Sequence, residues 1–185
     1  MRWMLYVLIL ASFCMSCDND VDGLRHKVEL LRSHPIVLNT DSMRCLMDGC
    51  DTTMSLRKDA MTFVVYTDSS ICSTCRLKNI HFWDDILEKY TAYGDALQFC
   101  FIFAPNKEDM RSFELVISTY SPDCPVFVDT MGIFERDNRH IPKDEALHVF
   151  LLDKDGNVLL VGEPLGNKKI DELLHKIVSE KIKDV

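Results

Sequence analysis

Two cysteines separated by two residues, Cys72 and Cys75, stand where the sequence changes from one pattern to another. Before them, residues 60–67 (AMTFVVYT) form an apolar, β-branched run of the length of a strand buried on both faces. After them, apolar residues recur every three or four positions, which predicts one face of an amphipathic helix extending to about residue 90. These apolar residues are Leu77, Ile80, Trp83, Leu87 and Tyr90. The cysteines are therefore expected between a central strand and the first turn of a helix.

Strand and helix patterns alternate through the rest of the chain. Residues 96–103 predict a second buried strand, 106–120 a helix, 125–129 a short strand and 130–138 a short helix. Residues 147–162 predict two strands around the turn DKDGN, and 166–182 a last helix that Asn167 can cap. This order predicts an α/β fold with a central mixed sheet, parallel strands, a C-terminal antiparallel hairpin and helices on both faces.

The N-terminal residues have the pattern of an export signal. Arg2 precedes an apolar run from Trp3 to Met15, which is shorter than the roughly 20 residues of a membrane-spanning helix. Cys17 follows the small residue Ser16 and precedes acidic residues, which resembles a bacterial lipoprotein signal and implies that Cys17 carries lipid. Cleavage by an ordinary signal peptidase after Ser16 is the alternative.

The sequence thus predicts three segments. Residues 1–16 are a signal peptide, 17–58 hold the lipid attachment site, a linker and a lead-in segment without steady periodicity, and 59–185 form one domain. We expect a protein of the bacterial cell envelope, lipid-anchored to a membrane, on the periplasmic side or at the cell surface.

Composition narrows the class of protein further. With 185 residues, 47% of them hydrophobic, the chain is long enough for one domain with a real core. Its net charge of −8 would repel phosphate backbones, so nucleic acid is excluded as a partner. Outside the cytoplasm thiols can be oxidised, so the cysteines of the exported chain are redox or disulfide candidates. They are Cys45, Cys50, Cys72, Cys75, Cys100 and Cys124.

The position of Cys72 gives it a chemical role. The first turn of a helix has backbone N–H groups without intrahelical partners and a positive dipole end, so the thiolate of Cys72 is favoured there. A second thiol three residues on can attack a mixed disulfide formed by the first. An inert disulfide and a zinc site shared with Cys45 and Cys50 are the alternatives. Cys45 and Cys50 could instead pair with each other, and Cys100 is expected in the core.

At these residues the chain resembles the thioredoxin-like superfamily, and especially its exported thiol-disulfide oxidoreductases of the TlpA/ResA and AhpC/TSA-like group. The resemblance covers residues 60–182 and rests on TFVVYTDSSICSTC and HVFLLDKDGNVLLVGEP. It implies a thioredoxin-like fold, with Cys72 as the attacking and Cys75 as the resolving cysteine. It also implies protein disulfide or dithiol substrates and an envelope thiol reductant as partners, and no cofactor.

The loop before the hairpin departs from this family's pattern. The family's cis-proline position falls on Leu147, with His148 beside it, and the resemblance implies that these two residues line the substrate groove. Two thiolates and an imidazole suit Cu(I), so a copper-handling protein that uses Cys72, Cys75 and His148 is a second hypothesis. A third is a non-catalytic thioredoxin-like binding lipoprotein.

Overall fold

The computed structural model of the protein describes residues 16–120 and 124–183. Nearly all of the predicted signal peptide lies outside these residues. The backbone of Cys17 belongs to the first helix, but its side chain is not among those described. No helix of the described residues is long and apolar enough to cross a membrane.

The described chain contains six α-helices and seven strands, besides short 3-10 helices. The helices are α1 (Ser16–Leu31), α2 (Ser73–Lys78), α3 (Asp84–Tyr90), α4 (Met110–Ile117), α5 (Ile133–Asp137) and α6 (Lys168–Lys183). The strands are β1 (Arg44–Met47), β2 (Cys50–Thr52), β3 (Met61–Thr67), β4 (Leu97–Phe103), β5 (Val126–Val128), β6 (Val149–Leu152) and β7 (Val158–Val161).

All seven strands form one mixed sheet in the order β2-β1-β5-β4-β3-β6-β7. Strand β4 pairs in parallel with β3 and β5, and the other pairs are antiparallel. One core cluster packs α2, α3, α4 and α6 on the sheet, and a second packs α1 and α5. The predicted fold class is confirmed, including the antiparallel hairpin β6–β7 and the helices on both faces.

The lead-in segment adds two strands that the sequence analysis did not predict. Strands β1 and β2 pair through a two-residue turn in which Asp48 and Gly49 have φ of 50° and 69°. Positive φ at both central positions matches the right-handed twist of a hairpin, and Asp-Gly is a preferred pair for such a turn. Strand β1 then pairs with β5, so this hairpin forms one edge of the sheet.

The helix predicted after the cysteines is broken in the structure. Helix α2 ends at Lys78, a short 3-10 helix follows at Ile80–Trp83, and α3 begins at Asp84. Four members of the predicted apolar face are nevertheless buried against the sheet, with exposures of 0–5%. They are Leu77, Ile80, Trp83 and Tyr90. The burial pattern was therefore predicted better than the backbone continuity.

A buried asparagine holds the chain that follows α1 against the domain. Asn138 accepts a hydrogen bond from the Val37 N–H at 2.7 Å and donates its amide to the Val37 carbonyl at 2.9 Å. The Ile36 N–H donates to the Gly156 carbonyl in the β6–β7 turn at 2.8 Å. These bonds give an irregular segment the backbone pairing that a strand would otherwise supply.

Candidate dithiol site

Cys72 and Cys75 form a disulfide at the start of α2, with their Cα atoms 5.3 Å apart. Cys72 occupies the N-cap position, and its Sγ accepts the Cys75 N–H at 3.2 Å. Both side chains are exposed. Accessibility therefore does not distinguish the two cysteines, whereas the helix terminus does, because only the Cys72 sulfur receives a backbone N–H there.

The loop that carries the disulfide is shaped by an aspartate at the end of β3. The Asp68 carboxylate accepts hydrogen bonds from both the N–H and the hydroxyl of Ser70, at 2.8 Å and 2.6 Å. The Ile71 N–H donates to the Asp68 carbonyl at 3.2 Å. This Asx turn brings the chain out of the buried strand and leaves Cys72 at the surface. On the other side of the motif, fully buried Leu77 fixes α2 to the core.

The loop before β6 lies beside α2. Arg76, directly after the second cysteine, forms an ion pair with Glu145, and its other nitrogen lies 4.0 Å from the Glu163 carboxylate. Leu147 is 3% exposed and packs in the second core cluster. His148 is 2% exposed. Both side chains are therefore largely buried, and their part in substrate binding stays a prediction.

In the structure His148 lies beside Asp68, a residue that the sequence analysis did not single out. The His148 Nε2 lies 2.9 Å from the Pro142 carbonyl, and its Nδ1 lies 3.8 Å from Asp68 Oδ2. Asp68 is 4% exposed, and Tyr66 packs its ring 5.2 Å from the imidazole. Burial, with the charges of Glu135, Asp68 and Asp129, raises the pKa of Tyr66 above its usual value. An acid directly after a buried strand was the signal that could have identified Asp68.

The remaining cysteines take different positions. Cys100 is fully buried, as predicted, and burial raises the pKa of its thiol and of Cys45. Cys50 is exposed on the edge strand β2 and pairs in register with Met47, while Cys45 pairs with Thr52. Cys45 and Cys50 are thus diagonal neighbours rather than a disulfide. Cys124 packs in the first core cluster.

Within residues 16–120 and 124–183, no group of three or more His, Cys, Asp or Glu side chains could hold a metal ion. The contacts of His148 are with Pro142 and Asp68, as given above. The arrangement of these described residues therefore offers dithiol chemistry without showing a ligand set for copper or zinc.

No model of a known protein family matches this sequence, and no curated protein matches it. Among solved structures, a thioredoxin-like protein in the oxidized form matches with a TM-score of 0.50 and 18% identity, over 81% of this chain and 97% of that one. This chain has a thioredoxin-like fold. The resemblance predicted from the sequence is confirmed at that level.

Two further matches are similar in extent. An uncharacterized thioredoxin-like protein from Porphyromonas gingivalis has a TM-score of 0.49 and 15% identity, over 80% of this chain and 92% of its own. Peroxiredoxin Q of Xanthomonas campestris has a TM-score of 0.49 and 13% identity, over 80% and 99%.

Proposed function

We propose that this thioredoxin-like chain is a thiol-disulfide oxidoreductase of the bacterial cell envelope. The observation that supports this best is the exposed Cys72–Cys75 disulfide at the start of α2, in which the Cys72 sulfur accepts a hydrogen bond from a backbone N–H. A disulfide there is accessible to a second protein, and its reduction releases a thiolate where backbone donors favour negative charge.

The proposed exchange proceeds in two displacements. In the reduced protein the Cys72 thiolate attacks one sulfur of a substrate disulfide, forming a mixed disulfide and releasing the other substrate sulfur as a thiolate. The Cys75 thiolate then attacks the Cys72 sulfur, which re-forms the Cys72–Cys75 disulfide and releases the second substrate thiolate. Two electrons pass to the substrate. An envelope dithiol must return them to the Cys72–Cys75 pair by the same exchange in reverse.

The reduction potential of the pair tests this proposal against an inert disulfide. We expect a potential above about −300 mV, because structural disulfides of exported proteins lie below that value. Equilibration of the protein with graded ratios of reduced and oxidised dithiothreitol, followed by alkylation and mass spectrometry, gives the potential. A value below about −300 mV would support a non-catalytic, disulfide-stabilised binding protein instead.

We also propose that Cys17 carries the lipid that anchors the protein in the envelope. The proposal rests on the sequence around Ser16 and Cys17. We expect metabolic labelling with a fatty acid to mark the wild-type protein and not Cys17→Ser, while Cys50→Ser, at an exposed cysteine of the folded domain, labels normally. An unmodified thiol on the mature N-terminal residue would contradict the anchor.

The copper alternative has less support. It needs the His148 imidazole beside both sulfurs. In the disulfide form His148 is buried and its contacts are to Pro142 and Asp68. We therefore assign the site to dithiol exchange.

A further inference from the structure

A cavity lies at the end of β3, and the disulfide is not part of its lining. Its volume is about 450 Å³, within the usual range of small-molecule sites, and neither Cys72 nor Cys75 lines it. Three of its lining side chains are nearly inaccessible: Tyr66 at 6%, Asp68 at 4% and His148 at 2%. These three form the floor of the cavity.

The floor holds three polar groups that the described chain leaves without hydrogen-bond partners. The His148 Nδ1 is buried with no partner. No described residue donates to Asp68 Oδ2 or bonds to the Tyr66 hydroxyl, although Asp68 Oδ1 accepts two bonds from Ser70. Of these three groups, only the His148 Nδ1 is buried from solvent; buried polar atoms are hydrogen-bonded in the great majority of cases, so this exception in the cavity floor indicates a ligand.

The hydrogen-bond chemistry of the floor specifies the group that it accepts. Since a carbonyl can only accept, the His148 Nε2 carries the proton that it donates to Pro142. Asp68 Oδ2 is an acceptor, and it lies 3.8 Å from the His148 Nδ1. The Asp68 carboxylate and the Tyr66 hydroxyl oxygen can both accept hydrogen bonds, and the carboxylate favours a cation. A primary ammonium has three donors and a positive charge.

The rim of the cavity favours a ligand group of the opposite charge. Arg136, Arg139 and Lys143 line it and are exposed, against one rim acid, Glu135. Lys143 is paired with Glu135 and Arg136 with Asp137, while Arg139 has no ion pair with any described residue. A surplus of cations on a protein of net charge −8 favours an anion at the mouth of this cavity.

We propose that this cavity is a binding site for a small zwitterion that carries a primary ammonium and a carboxylate, namely a free amino acid or a dipeptide. The ammonium lies on the floor between Asp68 Oδ2, His148 Nδ1 and the Tyr66 hydroxyl. The carboxylate lies at the rim near Arg139. Neither cysteine of the disulfide lines the cavity, so ligand binding is measured separately from the proposed exchange activity.

Calorimetric titration of the oxidised protein with alanine and with alanylalanine tests the proposal and distinguishes the two sources of this chemistry. We expect saturable one-to-one binding of at least one of them. For the ligand that binds, the N-acetyl form and the C-terminal amide should each bind roughly tenfold more weakly or worse, since each removes a partner from the site. No saturable binding of either ligand, or equal binding of the capped and free forms, would overturn the proposal.

Protein variants give a second, independent measurement. Asp68→Asn and Arg139→Ala should each weaken binding by a similar factor, whereas the exposed residue Arg111, outside the cavity, provides the matched control Arg111→Ala. If Arg111→Ala weakened ligand binding as much as Arg139→Ala, the effect would be one of overall charge, and the proposed site would be wrong. If Asp68→Asn fails to fold, Arg139→Ala and the capped ligands still decide the outcome.

Discussion

Replacing Cys72 with serine should reduce the exchange activity to the uncatalysed background and abolish mixed disulfides with substrates. Cys75→Ser should also lose turnover but should accumulate mixed disulfides, because Cys72 can still attack and nothing resolves the product. The reason for the asymmetry is geometric: the Cys72 sulfur accepts the Cys75 N–H at 3.2 Å at the N-cap of α2. Reduction of a disulfide-containing model protein and non-reducing gels of the trapped complexes measure both effects.

Cys50→Ser is the control for these two variants, because Cys50 is an exposed cysteine on the far edge strand β2. It should retain full activity and trap nothing. In the reduced wild-type protein, Cys72 should also alkylate faster than Cys75 at mildly acidic pH, although both side chains are exposed. Trapping by Cys72→Ser and not by Cys75→Ser would reverse the assigned roles.

Truncating Phe127 to alanine should lower the free energy of unfolding by about 3–5 kcal/mol. Phe127 is fully buried on β5, where it pairs in register with Cys45 of β1 on one side and Ile102 of β4 on the other. The cavity left by its ring would therefore weaken the packing between the lead-in hairpin, β1–β2, and the parallel strands. This loss would be a substantial part of a typical domain stability of about 5–15 kcal/mol. Chemical denaturation followed by circular dichroism measures the change.

Leu173→Ala is the matched control for the core, since this apolar side chain on α6 is 44% exposed. Its effect should stay within about 0.5 kcal/mol. A loss below about 1 kcal/mol for Phe127→Ala would mean that the lead-in hairpin and β5 do not belong to one cooperative core.

Local sequence patterns predicted the strands, turns and caps that depend on residues close together in the sequence. The runs at residues 60–67 and 96–103 became β3 and β4, and the turn DKDGN joined β6 to β7. The Asn167 side chain accepts the Ile170 N–H at 3.3 Å at the start of α6, as expected of a cap. The Asp48-Gly49 turn was equally local, and it was overlooked because the four-residue and three-residue strands beside it show too little periodicity.

The sequence by itself determined the order of strands and helices and the place of the dithiol at a helix start, because hydrophobic period, caps and turn residues act over a few neighbours. Only the tertiary structure decided that the lead-in hairpin completes the sheet beside β5 and that the helix after the cysteines breaks at Asn79. It also decided that Asp68 and His148 meet in one cavity. These outcomes depend on packing between segments far apart in sequence, which no local pattern contains.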